Sequence, residues 1–166
     1  MENLIRKNRK NKVLIAICTI LLFVTFSCNK RGEIYSHFYE LKDAQWSQKD
    51  TLQFQIDSTL FEPNKAYGLS LEITNNVSYP YQNIWFFIES DLTDDSSFVK
   101  VEKEFFLADD FGRWQGSGFG TLYQISLPLG EIRFPAKRNY NIKIIQGMRD
   151  ESLAGIEKVG INIFRK

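Results

Sequence analysis

The sequence predicts an all-β fold, an antiparallel β-sandwich of about eight strands, and three observations carry that prediction. Apolar and polar residues alternate with a period of two through most of the chain beyond residue 50. Turn signals separate the alternating runs at short intervals. Only Asp150–Glu157 offers a helical turn, and no internal repeat or low-complexity linker interrupts the pattern.

The chain opens with a segment of a different kind. Arg6, Lys7, Arg9, Lys10 and Lys12 form a basic stretch opposed only by Glu2, and Val13 to Phe26 then carries no charge. A basic start followed by a short apolar run has the proportions of a secretory signal. A permanent membrane-spanning helix needs roughly 20 apolar residues, more than this run supplies. Thr25-Phe26-Ser27-Cys28 places a small residue directly before a cysteine, and polar Asn29, Lys30 and Arg31 follow. That order resembles a lipobox, in which the chain is cut before the cysteine and the thiol is lipidated, although Phe26 is bulky for its position. The domain plan is therefore a signal peptide over 1–27, a lipid-anchored tether over 28–34 and a β-sandwich over 35–166. Acyl chains, each methylene contributing roughly 0.8 kcal/mol on burial, would hold Cys28 on a membrane.

The strands follow in order. Leu52, Phe54 and Ile56 alternate with polar residues, and Tyr67, Leu69, Leu71 and Ile73 form the clearest period-two run. Asn75 and Asn76 end it, and Tyr79-Pro80 marks a turn before Ile84–Leu92. In that strand Ile84, Phe86 and Ile88 face one way and Trp85 and Phe87 the other, so it is either covered on both faces or carries an aromatic outer surface. Phe98–Leu107 reads as a further strand. Pro128 and Gly130 split the next apolar stretch into Leu122–Leu127 and Glu131–Phe134. Tyr140–Ile145 and Val159–Ile163 complete the set.

Removing residues 1–27 turns the formal charge from +1 to −3 and removes Cys18, leaving Cys28 as the one cysteine. A mildly acidic chain without a basic aromatic stripe excludes nucleic acid as the expected partner. With Cys28 lipidated no disulfide can form, so stability must come from the core, which the aromatic content supplies.

Catalytic constellations are missing. His37 is the single histidine, read as a strand-edge or tether residue. Ser117 lies between Gly116 and Gly118, but Gln115 and Phe119 stand where a hydrolase turn requires glycines. The pairs Asp109-Asp110 and Asp94-Asp95 lack the spaced oxygens of a calcium loop. No enzyme, metal or cofactor is expected.

The most unusual segment is Asp109–Gly120, rich in glycine, with Asp110, Arg113 and Trp114 as candidate binding residues. One reading makes it a compact connection in which Trp114 plugs the end of the sandwich, and this is preferred because buried Trp is common in such cores. The other makes it a recognition loop, with Trp114 as a platform and Asp110 or Arg113 as polar partners. Arg149 is read as pairing with a neighbouring carboxylate, and Asn76-Val77-Ser78 as a turn.

Three segments carry a family resemblance. They are Asn75–Glu89 with Tyr79-Pro80 and Asn83-Ile84-Trp85-Phe86; the run Asp109–Gly120; and Arg133-Phe134-Pro135 through Gln146-Gly147-Met148-Arg149 to Val159-Gly160-Ile161. In order and spacing they resemble the GldH family, gliding-motility lipoproteins of the Bacteroidetes, over essentially the whole chain. The resemblance implies a cell-envelope lipoprotein with a structural or assembly role among protein partners of a gliding or secretion machinery. It brings no catalytic residue. The alternative is an envelope module holding a glycan or peptidoglycan fragment on Trp114, Trp85 or Tyr81.

The same setting suggests two further expectations. Asp50-Thr51-Leu52 and Asp57-Ser58-Thr59 resemble a short periplasmic O-glycosylation motif, making Thr51 and Ser58 candidate acceptors. No acidic run follows Cys28, which favours an outer-membrane lipoprotein on the periplasmic face.

Overall fold

The computed structural model describes residues 32–93 and 97–166. The signal segment, Cys18, Cys28, Asp94 and Asp95 lie outside the described residues. Glu33–Lys166 forms one compact unit.

Among the described residues eleven strands build it, all paired antiparallel: β1 (Glu33–Glu40), β2 (Gln45–Ser47), β3 (Leu52–Ile56), β4 (Ala66–Asn76), β5 (Asn83–Ser90), β6 (Val99–Phe106), β7 (Ser117–Phe119), β8 (Leu122–Arg133), β9 (Tyr140–Gln146), β10 (Ser152–Ala154) and β11 (Ile156–Arg165). One sheet runs β1-β11-β4-β8-β7, the other β3-β9-β5-β6, and β10-β2 makes a separate two-stranded ribbon. Alternation explains the layers, because successive side chains of a strand point to opposite faces. Leu69, Leu71, Ile73, Val159, Ile161 and Ile163 of the first sheet share one buried core with Phe54, Ile56, Ile84, Phe86, Ile142 and Ile144 of the second. Among the described residues the core lies in Glu33–Lys166, which clusters as a compact unit by its own internal contacts.

The all-β antiparallel prediction holds, and the details differ in four places. Leu122–Arg133 is one strand, not two. Pro128 and Gly130 are accommodated at a bulge: Leu69 pairs with Gly130 and Ser70 with Pro128, leaving Leu129 as the extra residue. A bulge is where a strand tolerates a proline and a glycine, here Gly130 with φ of 120°. Asp150–Glu157 holds no helical turn. Leu153 is drawn into the ribbon opposite Trp46, and Gly155 turns the chain into β11. Glu33–Glu40, where the tether was expected to end and the domain to begin, forms the edge strand β1, with His37 ringed by Tyr39 and Phe54 at 5.1 and 5.9 Å. Arg149 is exposed and makes no ion pair among the described residues.

Of the two expectations for β5, the aromatic outer surface is the one observed. Trp85 and Phe87 face out, the Lys100 ammonium sits 4.2 Å over the Phe87 ring, and Lys143 sits 4.3 Å over Phe98.

The ladder registers give the domain two distinct ends. Glu33 lies opposite Phe164, Arg165 opposite Tyr67 and Ala66 opposite Arg133 at one end; Asn76 lies opposite Leu122 and Asn75 opposite Ile156 at the other. At about 3.3 Å per residue, β4 separates them by roughly 33 Å.

Candidate functional site

The three segments singled out in the sequence interlock at the end of the domain remote from Glu33. Tyr79 leads the first. Its hydroxyl donates to the Asn83 carbonyl at 2.7 Å, and burial pushes its pKa well above the usual phenol value. Its ring meets Trp114 of the second segment at 6.2 Å, and Trp114 in turn meets Tyr123 at 6.1 Å. The Gln82 carbonyl accepts from the backbone N–H groups of Leu107 and Ala108. The third segment closes from the other side. Gly147 N–H donates to the Trp85 carbonyl at 2.7 Å, and Trp85 N–H donates to the Met148 sulfur at 3.3 Å. Tyr81 donates its hydroxyl to Asp150 at 2.9 Å, a bond that raises the Tyr81 pKa.

The glycine-rich segment is a hairpin with defined bonds. Gln115 N–H donates to the Leu107 carbonyl, Asp109 N–H to the Arg113 carbonyl, and Ala108 bridges Trp114. The Asp109 carboxylate ties the tip, accepting from the N–H groups of Phe111 and Arg113 and from Arg113 Nε at 2.8 Å. The Arg113 backbone N–H, foremost, holds the Asp109 carboxyl below its ordinary range, aided by the guanidinium and the Phe111 N–H. Gly116, at φ 85°, passes so close to the Gln124 carbonyl that a Cβ would overlap it. Only glycine admits both that angle and that approach.

The candidate residues are placed as follows. Trp114 is half-buried against the core, which brings it nearer the compact-connection reading than a free platform. Arg113 is exposed, held by Asp109 and lying over the Phe111 ring at 5.3 Å. Asp110 stands exposed at the tip. They share one hairpin, but Arg113 is turned to Asp109 and Phe111 instead of sharing a platform with Trp114. Thr51 is exposed just ahead of β3, whereas Ser58 is half-buried with its N–H donating to Asn139 Oδ1. Asn76-Val77-Ser78 is a turn, the Asn76 side chain accepting from the Ser78 N–H and hydroxyl.

Two residues outside the sequence candidates stand out. Phe111 is 84% exposed and Phe119 is 88% exposed, more than any other large apolar side chain among the described residues. Phe111 is at the tip of the hairpin, and Phe119 ends β7 at the neighbouring turn. The signal was legible in composition: each phenylalanine is followed by a glycine, and Phe119 is preceded by one too, so no adjacent side chain shields it. Phe106, Trp85 and Tyr81, also exposed, add to the aromatic surface of this end.

Comparison with known proteins places the chain among relatives. The family model described as GldH lipoprotein matches residues 33–163. A gliding motility lipoprotein GldH homolog of Christiangramia forsetii is 28% identical over 159 residues, covering 91% of this chain and 93% of its own. The gliding motility lipoprotein GldH of Flavobacterium johnsoniae is 28% identical over 166 residues, covering 95% and 98%. Among solved structures, the VP2 subviral particle of infectious bursal disease virus aligns with a TM-score of 0.32 at 11% identity, over 78% of this chain and 33% of that one. The Drosophila NLP core aligns with a TM-score of 0.29 at 10% identity, over 80% and 98%. Both scores are too low to carry kinship.

Proposed function

The chain belongs to the GldH lipoprotein family, and from that premise we propose that it serves as a non-catalytic assembly component of the cell envelope, binding a protein partner through its aromatic end. Lipid on Cys28 anchors it, and the periplasmic face of the outer membrane is where we place it. The observation that carries the partner reading is the pair Phe111 and Phe119. Nearly bare aromatic side chains on two successive turns of the chain have no use inside the fold and are what a partner's pocket buries. Their position supports the same reading. A chain tied at Cys28 enters the domain at Glu33, and the aromatic end lies roughly 33 Å away along the strands. A site at the end of the domain remote from Glu33 suits a partner standing off the membrane.

The glycan-binding alternative asks for an open aromatic shelf with convergent polar groups. Trp114 is half-buried, Arg113 is engaged by Asp109, and the Tyr81 hydroxyl by Asp150, which favours a protein partner instead. Of the two O-glycan acceptors we place the modification on Thr51, the exposed one; an intact mass from the native host equal to peptide plus lipid would remove it.

The test is a mild-detergent pull-down of the tagged full chain from its native host beside Phe111→Ser/Phe119→Ser. Stoichiometric envelope proteins recovered with the wild type and lost with the double variant would support the reading. Equal recovery from both would move the contact elsewhere, and no protein recovered from either would remove the assembly role.

A further inference from the structure

At the end opposite the aromatic hairpins, where β1 begins, lies a cavity of about 450 Å³ lined by Glu62, Asn64, Lys65, Tyr67, Arg133, Arg165 and Lys166, with Ala66. We propose that this cavity binds the phosphate of an anionic phospholipid headgroup and so seats the domain on the membrane to which it is tethered. The inference rests on the lipid-anchor reading for its geometry, and on charge and shape for its chemistry.

Charge is the first argument. The chain from Cys28 onward carries a formal charge of −3, yet four cations and one carboxylate line this cavity. Lys65 is paired with Glu62 at 2.5 Å, while Lys166 and Arg133 share Glu131, each at 3.0 Å. Arg165 has no ion pair among the described residues, and Arg133 Nη1 has only the Asn64 carbonyl at 3.3 Å. Counting Glu62 and Glu131 against the four cations leaves an excess of positive charge in a protein whose balance is otherwise negative. Arginine's planar fork matches phosphate oxygens, and Arg133 and Arg165 come from strands on either side of β4.

Chain length is the second argument. Glu33 starts β1 opposite Phe164, the neighbour of Arg165. Four residues lie between Cys28 and Glu33, making five steps, and an extended chain spans at most about 3.6 Å per step. A lipidated Cys28 therefore keeps this end within roughly 18 Å of the headgroups, while the aromatic end is free of that limit.

The test uses Glu33–Lys166, the compact unit that holds the described core, and sedimentation with vesicles of pure phosphatidylcholine or of phosphatidylcholine with phosphatidylglycerol. Binding to the anionic vesicles alone, weakened by salt, is the expected result, with Arg165→Gln lowering affinity about fivefold and Arg133→Gln/Arg165→Gln lowering it further. Arg165 makes no side-chain hydrogen bond or ion pair among the described residues and exerts only a Coulombic pull on Glu62, so Arg165→Gln should leave folding intact, which a thermal melt checks. Equal binding to both vesicle types, no binding, or a variant that binds like the wild type would overturn the proposal. Heat of binding for millimolar inorganic phosphate, measured by titration calorimetry, without any vesicle binding would identify a free-phosphate site and overturn the lipid source. The anchor is tested separately: a Cys28 peptide from the native host without acyl mass would sink that reading while the vesicle result stands on its own.

Discussion

Gly155 rests directly on the backbone of Tyr79, so close that a Cβ at 155 would overlap the Tyr79 nitrogen and Cα. The contact joins the turn into β11 to the loop before β5, and Asn76 N–H donating to the Gly155 carbonyl at 2.9 Å fastens it. It adds a close backbone contact to the bonds that join two of the three family segments.

Gly155→Ala should therefore be among the most damaging single-methyl changes in the protein. Its φ of 86° already disfavours any Cβ, and the neighbour it meets is backbone, which cannot turn aside. A loss of about 3 kcal/mol is expected, of the size reached by strain and overpacking. Gly120→Ala supplies the control, with φ of 61° and nothing within 4 Å, and should cost about 1 kcal/mol. Urea denaturation of the two variants checks the difference; equal midpoints would mean that the Tyr79 contact relaxes.

The hairpin tip should respond to acid. The folded state holds the Asp109 carboxyl below its ordinary range, so the contribution of that carboxylate is present above the unfolded pKa and lost as pH falls through the folded one. The tip should loosen only below the usual carboxylate range. Amide exchange at Phe111 and Arg113, followed downward from neutral pH, measures it. Asp109→Asn should show loosened exchange at neutral pH and a flatter acid dependence.

Trp114 and Phe111 should separate stability from binding. Trp114 packs between Tyr79 and Tyr123 against the core, so Trp114→Ala should cost about 2–3 kcal/mol, below the usual range for fully buried large aromatics because the ring is only half-buried. Phe111→Ser removes a ring in contact with little but Arg113 and should change stability by less than about 0.5 kcal/mol. Thermal melts of the two, read beside the pull-down, tell a lost partner from a lost fold.

What could be read in advance follows from where the information lies. Strands buried on one face write their period into the sequence, which is why Leu52–Ile56 and Tyr67–Ile73 were legible and fell where expected. The bulge at Leu129 was not, because Pro128 and Gly130 look the same whether they end a strand or bend it, and β4 decides. Ser152–Ala154 is too short to show a period and exists through its pairing with Trp46, more than 100 residues away. At the site, the hairpin was visible in its glycines, and the choice between a buried and a free Trp114 was not. That choice depends on Tyr79 and Tyr123, which arrive from separate strands. Phe111 and Phe119 are marked only by their glycine neighbours, because a phenylalanine ordinarily argues for core.

The ribbon carries the last prediction. Trp46 is fully buried, its ring 6.0 Å from Phe86 of the second sheet and its Nε1 donating to the Asp50 carbonyl at 3.1 Å. It is the residue through which β2 and β10 adhere to the sandwich, since Leu153 is its cross-strand partner. Trp46→Ala would empty that space and is expected to cost about 3–5 kcal/mol. Trp46→Phe keeps much of the volume but leaves the Asp50 carbonyl without this donor, so about 1–3 kcal/mol is expected. Hydrogen exchange separates the two effects. If the ribbon hangs on Trp46, Trp46→Ala should strip protection from the amides of Gln48 and Ser152–Ala154 before the β4–β8 ladder is touched, because the β4–β8 pairing does not run through the ribbon. Loss of protection everywhere at once would instead make the ribbon part of the global folding unit.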